Sequence, residues 1–134
     1  MSDESVIRGL ITRWVEAIGQ QDLPGVLADH DPNIVMFDVP PPYSGVRGID
    51  EYRKSWPPFF DWIRHGAQFD LLQLDVAAGA DVAFAYALLR CGTAADFEAN
   101  PDNRLRITIG FPKADDRLGV VHEHHSFPLP DTAS

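Results

Sequence analysis

The hydrophobic pattern of this 134-residue chain changes its period once, and that change constrains the fold more than any other feature. Up to about residue 64, apolar residues such as Leu10, Trp14 and Ile18 recur at helical spacings of three and four. From residue 68 onward they mostly alternate with polar residues, as in half-buried strands. Helices followed by strands predict an α+β domain, with the helices gathered on one face of an antiparallel sheet.

The first half contains three predicted helical segments and one strand. Prolines set the ends of two of them: three end the strand, and Pro57 and Pro58 predict a break or a new start in the third helix, with Phe59 to Ile63 as a last turn or two. The predicted segments are helices from Asp3 to about Gln20, from Leu23 to about Asp29 and from Gly48 to about Trp56, and a strand from Ile34 to Val39.

The second half reads as a meander of four long strands. Predicted loops separate them, including Asp96 to Asn103 and Lys113 to Arg117, and Pro128 to Ser134 reads as a loose tail. The acidic side chains at 96, 98, 102, 115 and 116 are interpreted as solvated loop residues. The predicted strands are Gln68 to Val76, Val82 to Thr93, Leu105 to Phe111 and Gly119 to Phe127.

Length, charge and cysteine content limit the classes of function. A chain of 134 residues predicts a single domain, residues 1–134. Its formal net charge of -9 opposes binding to nucleic acid and to anionic membranes, which depends on Lys and Arg. No secretory signal and no membrane-spanning apolar stretch is recognisable. The single cysteine, Cys91, suits a reducing compartment, so we expect a cytoplasmic protein.

The most distinctive local sequence is the histidine-rich run from Val120 to Phe127. Strand alternation puts His122, His124 and Ser126 on one face, and Glu123 and His125 on the other. Two imidazoles that point into a cavity are candidates for acid–base chemistry, and they are equally candidates for a buried hydrogen-bond network. Histidines two residues apart can also share a metal ion, but the local pattern lacks a third ligand, so no metal is expected.

Three stretches of the chain carry a family resemblance: Ile34 to Pro40, Tyr43 to Gly48, and Val121 to Ser126 at the end of the meander. With the order of the elements, they make the chain resemble the SnoaL-like, ketosteroid-isomerase-like branch of the nuclear-transport-factor-2-like superfamily over nearly its whole length. The resemblance implies a cone-shaped, curved antiparallel sheet that N-terminal helices close around a pocket, commonly with a dimer across the outer sheet face. The superfamily hosts many chemistries, so the fold does not fix a reaction.

The resemblance places Asp38 at the position of the catalytic base of ketosteroid isomerases. Those enzymes also use a tyrosine and a protonated aspartate as oxyanion donors. Here Trp14 occupies the position that looks equivalent to the tyrosine, and the stretch 104–109 contains no carboxylate. Losing one such donor costs on the order of 10²–10³ in rate, so steroid isomerisation is not the expected activity.

The predicted activity is a cofactor-independent lyase, isomerase or cyclase that uses His–Asp acid–base chemistry on a small apolar molecule. Two alternatives stay open: a non-catalytic pocket for such a molecule, and a structural dimer module. We expect a homodimer, because the apolar residues of the long strands cannot all point inward. The predicted catalytic residues are Asp38, His122 and His124, and the predicted ligand-binding residues are Trp14, Tyr43, Trp56, Phe60, Arg106 and Ser126.

Overall fold

The computed structural model describes residues 2–114 and 117–129. They form an α+β domain, as predicted, in which helices precede a long-stranded sheet. The helices are α1 (Asp3–Gly19), α2 (Leu23–Leu27), α3 (Ile49–Arg64) and α4 (Ala94–Ala99); the strands are β1 (His30–Phe37), β2 (Val46–Arg47), β3 (Gln68–Ala78), β4 (Val82–Gly92), β5 (Leu105–Ala114), β6 (Arg117–Leu118) and β7 (Val120–Ser126).

The strands form one curved sheet that does not close on itself, in the order β2-β1-β7-β5-β4-β3, with β6 paired to β5. The predicted meander of β3, β4, β5 and β7 is confirmed, and each of its neighbouring pairs is antiparallel. The prediction of a wholly antiparallel sheet is wrong in one place, because β1 pairs with β7 in parallel. This pairing places the end of β1 beside the histidine-rich strand.

Helix α1 packs its apolar face over β3, and α3 packs on β1 and β2. The hydroxyl of Ser2 caps α1 by accepting a hydrogen bond from the Ser5 N–H. Gly48 precedes α3 with a positive φ of 87°, a conformation that favours glycine, and its N–H donates to the Ile34 carbonyl at 2.7 Å. This bond ties the beginning of α3 to β1 and so sets where the side chains of α3 meet the sheet.

Several predicted boundaries are wrong: β1 begins at His30 instead of Ile34, β5 extends to Ala114 into the predicted loop from Lys113 to Arg117, and two helices differ. Helix α3 continues through Pro57 and Pro58, because Tyr52, Trp56 and Phe60 bury one face four residues apart while both prolines lie on the exposed face. The predicted loop from Asp96 to Asn103 contains part of α4, a short helix that begins with a capping box between Thr93 and Asp96. Helix α3 forms part of the wall of the cavity described below, and α4 lines a recess beside that cavity.

At the C-terminal end, Pro128 and Leu129 are exposed and follow β7 without joining the sheet. The rest of the predicted tail, residues 130–134, and the predicted loop acids Asp115 and Asp116 lie outside the described residues. Within the described part of the chain, no helix has the length and apolar character needed to cross a membrane.

Candidate active site

An apolar cavity of about 310 Å³ lies between α3 and the inner face of the sheet. This volume is at the lower end of the range for small-molecule sites. Among its described walls, Asp38 carries the one carboxylate and His125 the one imidazole. The cavity is lined by Asp38, Val39, Pro40, Ser55, Trp56, Pro58, Phe59, Trp62, Phe69, Cys91, Leu105, His125 and Phe127.

The register of β7 decides which of its histidines reaches this cavity. Glu123 and His125 pair with Ile109 and Ile107 of β5, and all four side chains are buried on the inner face. His124 pairs with Thr108 on the opposite, outer face. The predicted alternation along the strand is confirmed, but the expectation that His122, His124 and Ser126 line the pocket is wrong.

His125 lies between two carboxylates. Its Nδ1 is 3.5 Å from Oδ1 of Asp38, and its Nε2 is 2.9 Å from Oε1 of Glu123. Burial alone would lower the pKa of His125, but hydrogen bonding to Asp38 and Glu123 outweighs burial and raises it to about 9. His125 is therefore an imidazolium at neutral pH, and it has a proton on each nitrogen.

The carboxylate of Glu123 is the centre of a second set of contacts, beneath the cavity. It is fully buried, and its Oε2 accepts hydrogen bonds from the Tyr52 hydroxyl and from Nε2 of His30, both at 2.7 Å. Burial alone would raise the pKa of Glu123, but hydrogen bonds from His125 and His30 lower it to about 2. Glu123 thus stays ionised and supplies the fixed negative charge that the imidazolium of His125 faces.

His30 and Tyr52 complete this buried network. Nδ1 of His30 donates to the Ala28 carbonyl at 2.8 Å, so its contact with Glu123 at Nε2 requires a second proton shared with the carboxylate. Burial opposes the charged imidazole, but the Glu123 carboxylate outweighs it and raises the pKa of His30. Burial, reinforced by the same carboxylate, raises the pKa of Tyr52, so its hydroxyl remains a donor.

Asp38 has the geometry of an accessible base. Its Oδ1 accepts the Val39 N–H at 2.8 Å and faces His125, whereas its Oδ2 has no hydrogen-bond partner among the described residues. The side chain is 23% exposed at the cavity wall. One carboxylate oxygen is thus held in place while the other is open to a bound molecule.

The other predicted site residues are scattered. Trp56 lines the cavity, while Trp14 and Phe60 lie in the core outside its wall; the Trp14 indole N–H donates to the Tyr52 hydroxyl at 3.2 Å. Tyr43 is 98% exposed and lines a separate recess beside the prolines. Arg106 and Ser126 pair in register on β5 and β7, on the outer face, and neither lines the cavity.

Sequence reasoning missed Glu123, His125, Tyr52 and His30 as a group. Strand alternation correctly places Glu123 and His125 on one face, but only the register with β5 shows that this face is the inner one. Tyr52 carried a usable signal, because it lies four residues before Trp56 on the buried stripe of α3. Within residues 2–114 and 117–129, no three His, Cys, Asp or Glu side chains are arranged to hold a metal ion.

Comparisons with known proteins agree with this architecture. The sequence model of the family described as SnoaL-like domain matches residues 7–130. No curated protein matches the chain. A solved NTF2-like protein of unknown function from Pseudomonas putida KT2440 is 34% identical; the match covers 96% of this chain and 89% of that one, with a TM-score of 0.81.

Two more distant structures share the fold alone. An uncharacterised protein with a cystatin-like fold from Caulobacter vibrioides is 17% identical, with 98% of this chain and 94% of that one covered and a TM-score of 0.76. A protein from Streptomyces avermitilis, proposed to be a dehydratase of the NTF2-like family, is 15% identical, with 96% and 97% covered and a TM-score of 0.70.

Proposed function

Since this chain belongs to the SnoaL-like domain family of the NTF2-like superfamily, we propose that it is a cofactor-independent lyase or isomerase that moves a proton on a small apolar carbonyl compound. One observation carries the proposal: the Asp38 carboxylate and the His125 imidazolium lie 3.5 Å apart in the wall of an apolar cavity. A base and an acid are thus side by side among mainly apolar walls, which strengthens their electrostatic interaction with a bound carbonyl group.

The two groups have different roles because of their surroundings. The Asp38 carboxylate, through its open Oδ2, removes the proton on the carbon next to the carbonyl. Protonated His125 donates a hydrogen bond to the carbonyl oxygen, where negative charge develops, from Nδ1, the nitrogen on the Asp38 side that Glu123 does not hold. Glu123 is a positioning residue, because its hydrogen bond at 2.9 Å holds the imidazolium and favours its charge.

A dehydration fits the same arrangement. In a β-hydroxy carbonyl compound, Asp38 takes the α-proton, the C–H electron pair forms the new double bond, and the hydroxyl leaves as water with a proton from His125. Transfer of the proton from Asp38 back to His125 restores the starting state. The Streptomyces avermitilis neighbour that is proposed to be a dehydratase supports this reaction class, although at 15% identity it is similar in fold alone.

Deuterium exchange tests the proposal without knowledge of the natural substrate. Hexanophenone, a phenyl alkyl ketone, is incubated with the protein in D₂O, and loss of the α-proton signal is followed by NMR. We expect the wild type to exchange the α-protons roughly 10²–10⁴ times faster than Asp38→Asn, the usual contribution of a positioned general base. His125→Gln should also slow exchange, whereas His124→Gln, on the outer face of the same strand, is the matched control.

Equal rates for the wild type and Asp38→Asn would contradict catalysis by this pair. A non-catalytic pocket is the second candidate function, and it is favoured by the mainly apolar walls of the cavity. Ligands would then raise the melting temperature without exchange, as expected for any molecule that binds the folded state alone.

We propose a cytoplasmic location, because the one cysteine, Cys91, is a free thiol, which suits a reducing compartment. Cys91 is buried in the cavity wall, and burial, with Asp96 and Asp38 nearby, raises the pKa of its thiol to about 12. Such a thiol is a weak nucleophile at neutral pH, so we assign it a packing role in the apolar wall.

A further inference from the structure

A second, open recess of about 670 Å³ adjoins the cavity at α4. The two share three wall residues, Trp62, Cys91 and Phe127. A molecule that fills the apolar cavity can therefore extend past these side chains into the recess.

The far wall of this recess is polar. Asp96, Asn100 and Asn103 line it, from α4 and the turn that follows. Backbone hydrogen bonds from the Asn100 N–H to the Asp96 carbonyl and from the Asn103 N–H to the Asn100 carbonyl hold the three residues together. Among the described residues, neither asparagine side chain has a hydrogen-bond partner, so both amides are available to a ligand.

The charge of the two compartments restricts the ligand further. Their described walls contain the carboxylates Asp38 and Asp96 and neither Lys nor Arg, and the one imidazolium, that of His125, lies in the cavity and faces Asp38 and Glu123. The nearest arginine in sequence, Arg104, donates instead to the carbonyls of Pro101 and Asn103. An anionic group in the recess would meet the Asp96 carboxylate in a described wall that contains no Lys, Arg or His, and the formal net charge of -9 adds to the repulsion.

We propose that the substrate is neutral and elongated: its carbonyl-bearing apolar body fills the cavity, and a hydroxyl or amide group at its other end binds Asn100 and Asn103 in the recess. This inference rests on the proposed function for the position of the carbonyl. We expect neutral carbonyl compounds that carry a hydroxyl or amide group to be substrates, and we do not expect carboxylates, phosphates or coenzyme A thioesters to be substrates.

Three matched ketones test the inference by isothermal titration calorimetry: hexanophenone, its analogue with a terminal hydroxyl, and its analogue with a terminal carboxylate. We expect the hydroxyl analogue to bind roughly tenfold more tightly than hexanophenone and the carboxylate analogue more weakly than both, as for a site that hydrogen-bonds a neutral group. Equal or tighter binding of the carboxylate analogue would overturn the inference.

Two substitutions at one position sharpen the test. Asn103→Leu should bring the ratio between hexanophenone and its hydroxyl analogue close to one, and Asn103→Lys should reverse the preference in favour of the carboxylate. Asn33→Leu and Asn33→Lys, at an exposed asparagine of β1 away from the recess, are the controls.

The outcomes also distinguish this inference from the proposed function. If Asp38-dependent deuterium exchange occurs but the terminal hydroxyl adds no affinity, the inference fails and the proposed function stands. If the proposed function fails because exchange is independent of Asp38, a hydroxyl preference that Asn103→Leu removes would still identify the recess as a binding site for a neutral group. Binding of none of the three ketones would overturn the inference.

Discussion

The two faces of β7 carry similar residues in different settings. On the inner face, Glu123 is fully buried and His125 is 7% exposed, and each contacts ionisable partners from other elements. On the outer face, His124 is exposed, and Nδ1 of His122 donates to the Val35 carbonyl at 2.7 Å. The chemistry of a histidine on β7 therefore depends on what the neighbouring strands and helices place against it.

The largest expected difference between the faces is in stability. Glu123→Gln removes the charge that faces His30, His125 and Tyr52, and leaves buried groups without compensation. We expect the free energy of unfolding to fall by about 3–5 kcal/mol, as when one partner of a buried ion pair is removed. His124→Gln should change it by less than about 0.5 kcal/mol. Urea denaturation measures the free energy of unfolding of both variants. Similar losses in the two would contradict the expected difference between the inner and outer faces of β7.

The ionised residues of the inner face also make stability depend on pH. The raised pKa of His125 contributes stability that is complete below pH 6.5 and is lost as the pH rises to about 9. The lowered pKa of Glu123 contributes stability that is complete above pH 4.5 and is lost as the pH falls to about 2. Thermal denaturation should thus show this contribution at its maximum between pH 4.5 and 6.5.

A variant isolates the alkaline part of this profile. The wild type should lose roughly 2–3 kcal/mol of unfolding free energy as the pH rises from 6.5 to about 9, at 1.36 kcal/mol for each pKa unit. In His125→Gln most of this loss should be absent and the remainder should come from His30, whose pKa Glu123 also raises, whereas His124→Gln should retain the full loss. An unchanged alkaline loss in His125→Gln would assign the pH dependence to another group.

The outer face leads to a prediction about assembly. Phe84 and Tyr86 are 49% and 51% exposed there, and their rings stack at 6.4 Å. We expect a second copy of the chain to cover this face, so sedimentation velocity should show a dimer at micromolar concentration. Tyr86→Lys should raise the dimer Kd about ten- to a hundredfold, a common effect of losing a central aromatic anchor.

A control separates this face from surface hydrophobicity in general. Leu129 is 90% exposed but lies beyond β7, so Leu129→Lys should leave the dimer intact. A wild-type monomer, or equal effects of Tyr86→Lys and Leu129→Lys, would show that the outer sheet face is not the interface.

The smallest expected effect distinguishes the two outer histidines from each other. His122→Ala removes the hydrogen bond to the Val35 carbonyl that joins β7 to β1, and should cost about 1 kcal/mol of unfolding free energy. His124→Ala removes a side chain without a hydrogen-bond partner among the described residues, so its cost should be smaller. Chemical denaturation of the two variants side by side measures the difference.

The elements of the fold could be predicted well because they depend on local periodicity. The four-strand meander and α1 follow directly from apolar spacing. The continuation of α3 through Pro57 and Pro58 could not be predicted, because burial of its aromatic stripe outweighs two lost backbone donors. Helix α4 was missed although Thr93 and Asp96 have the spacing of a capping box.

The site could be predicted only in part, for a different reason. Asp38 does lie in the cavity wall, and alternation along β7 grouped its side chains correctly. Alternation alone does not tell which of two faces is buried, and a wrong choice moves a whole set of side chains to the other side of the sheet. The partners of Glu123 come from β1 and α3, at sequence distances that no local pattern reports.

The parallel pairing of β1 with β7 has a consequence for folding during synthesis. Glu123 is 93 residues from His30 and 71 from Tyr52 along the chain, and both contacts close the same network. A polypeptide growing from the ribosome therefore carries His30, Asp38 and Tyr52 long before their partners exist. Contacts of such long sequence separation form slowly, so we expect the buried network around Glu123 and His125 to be among the last parts of the protein to form.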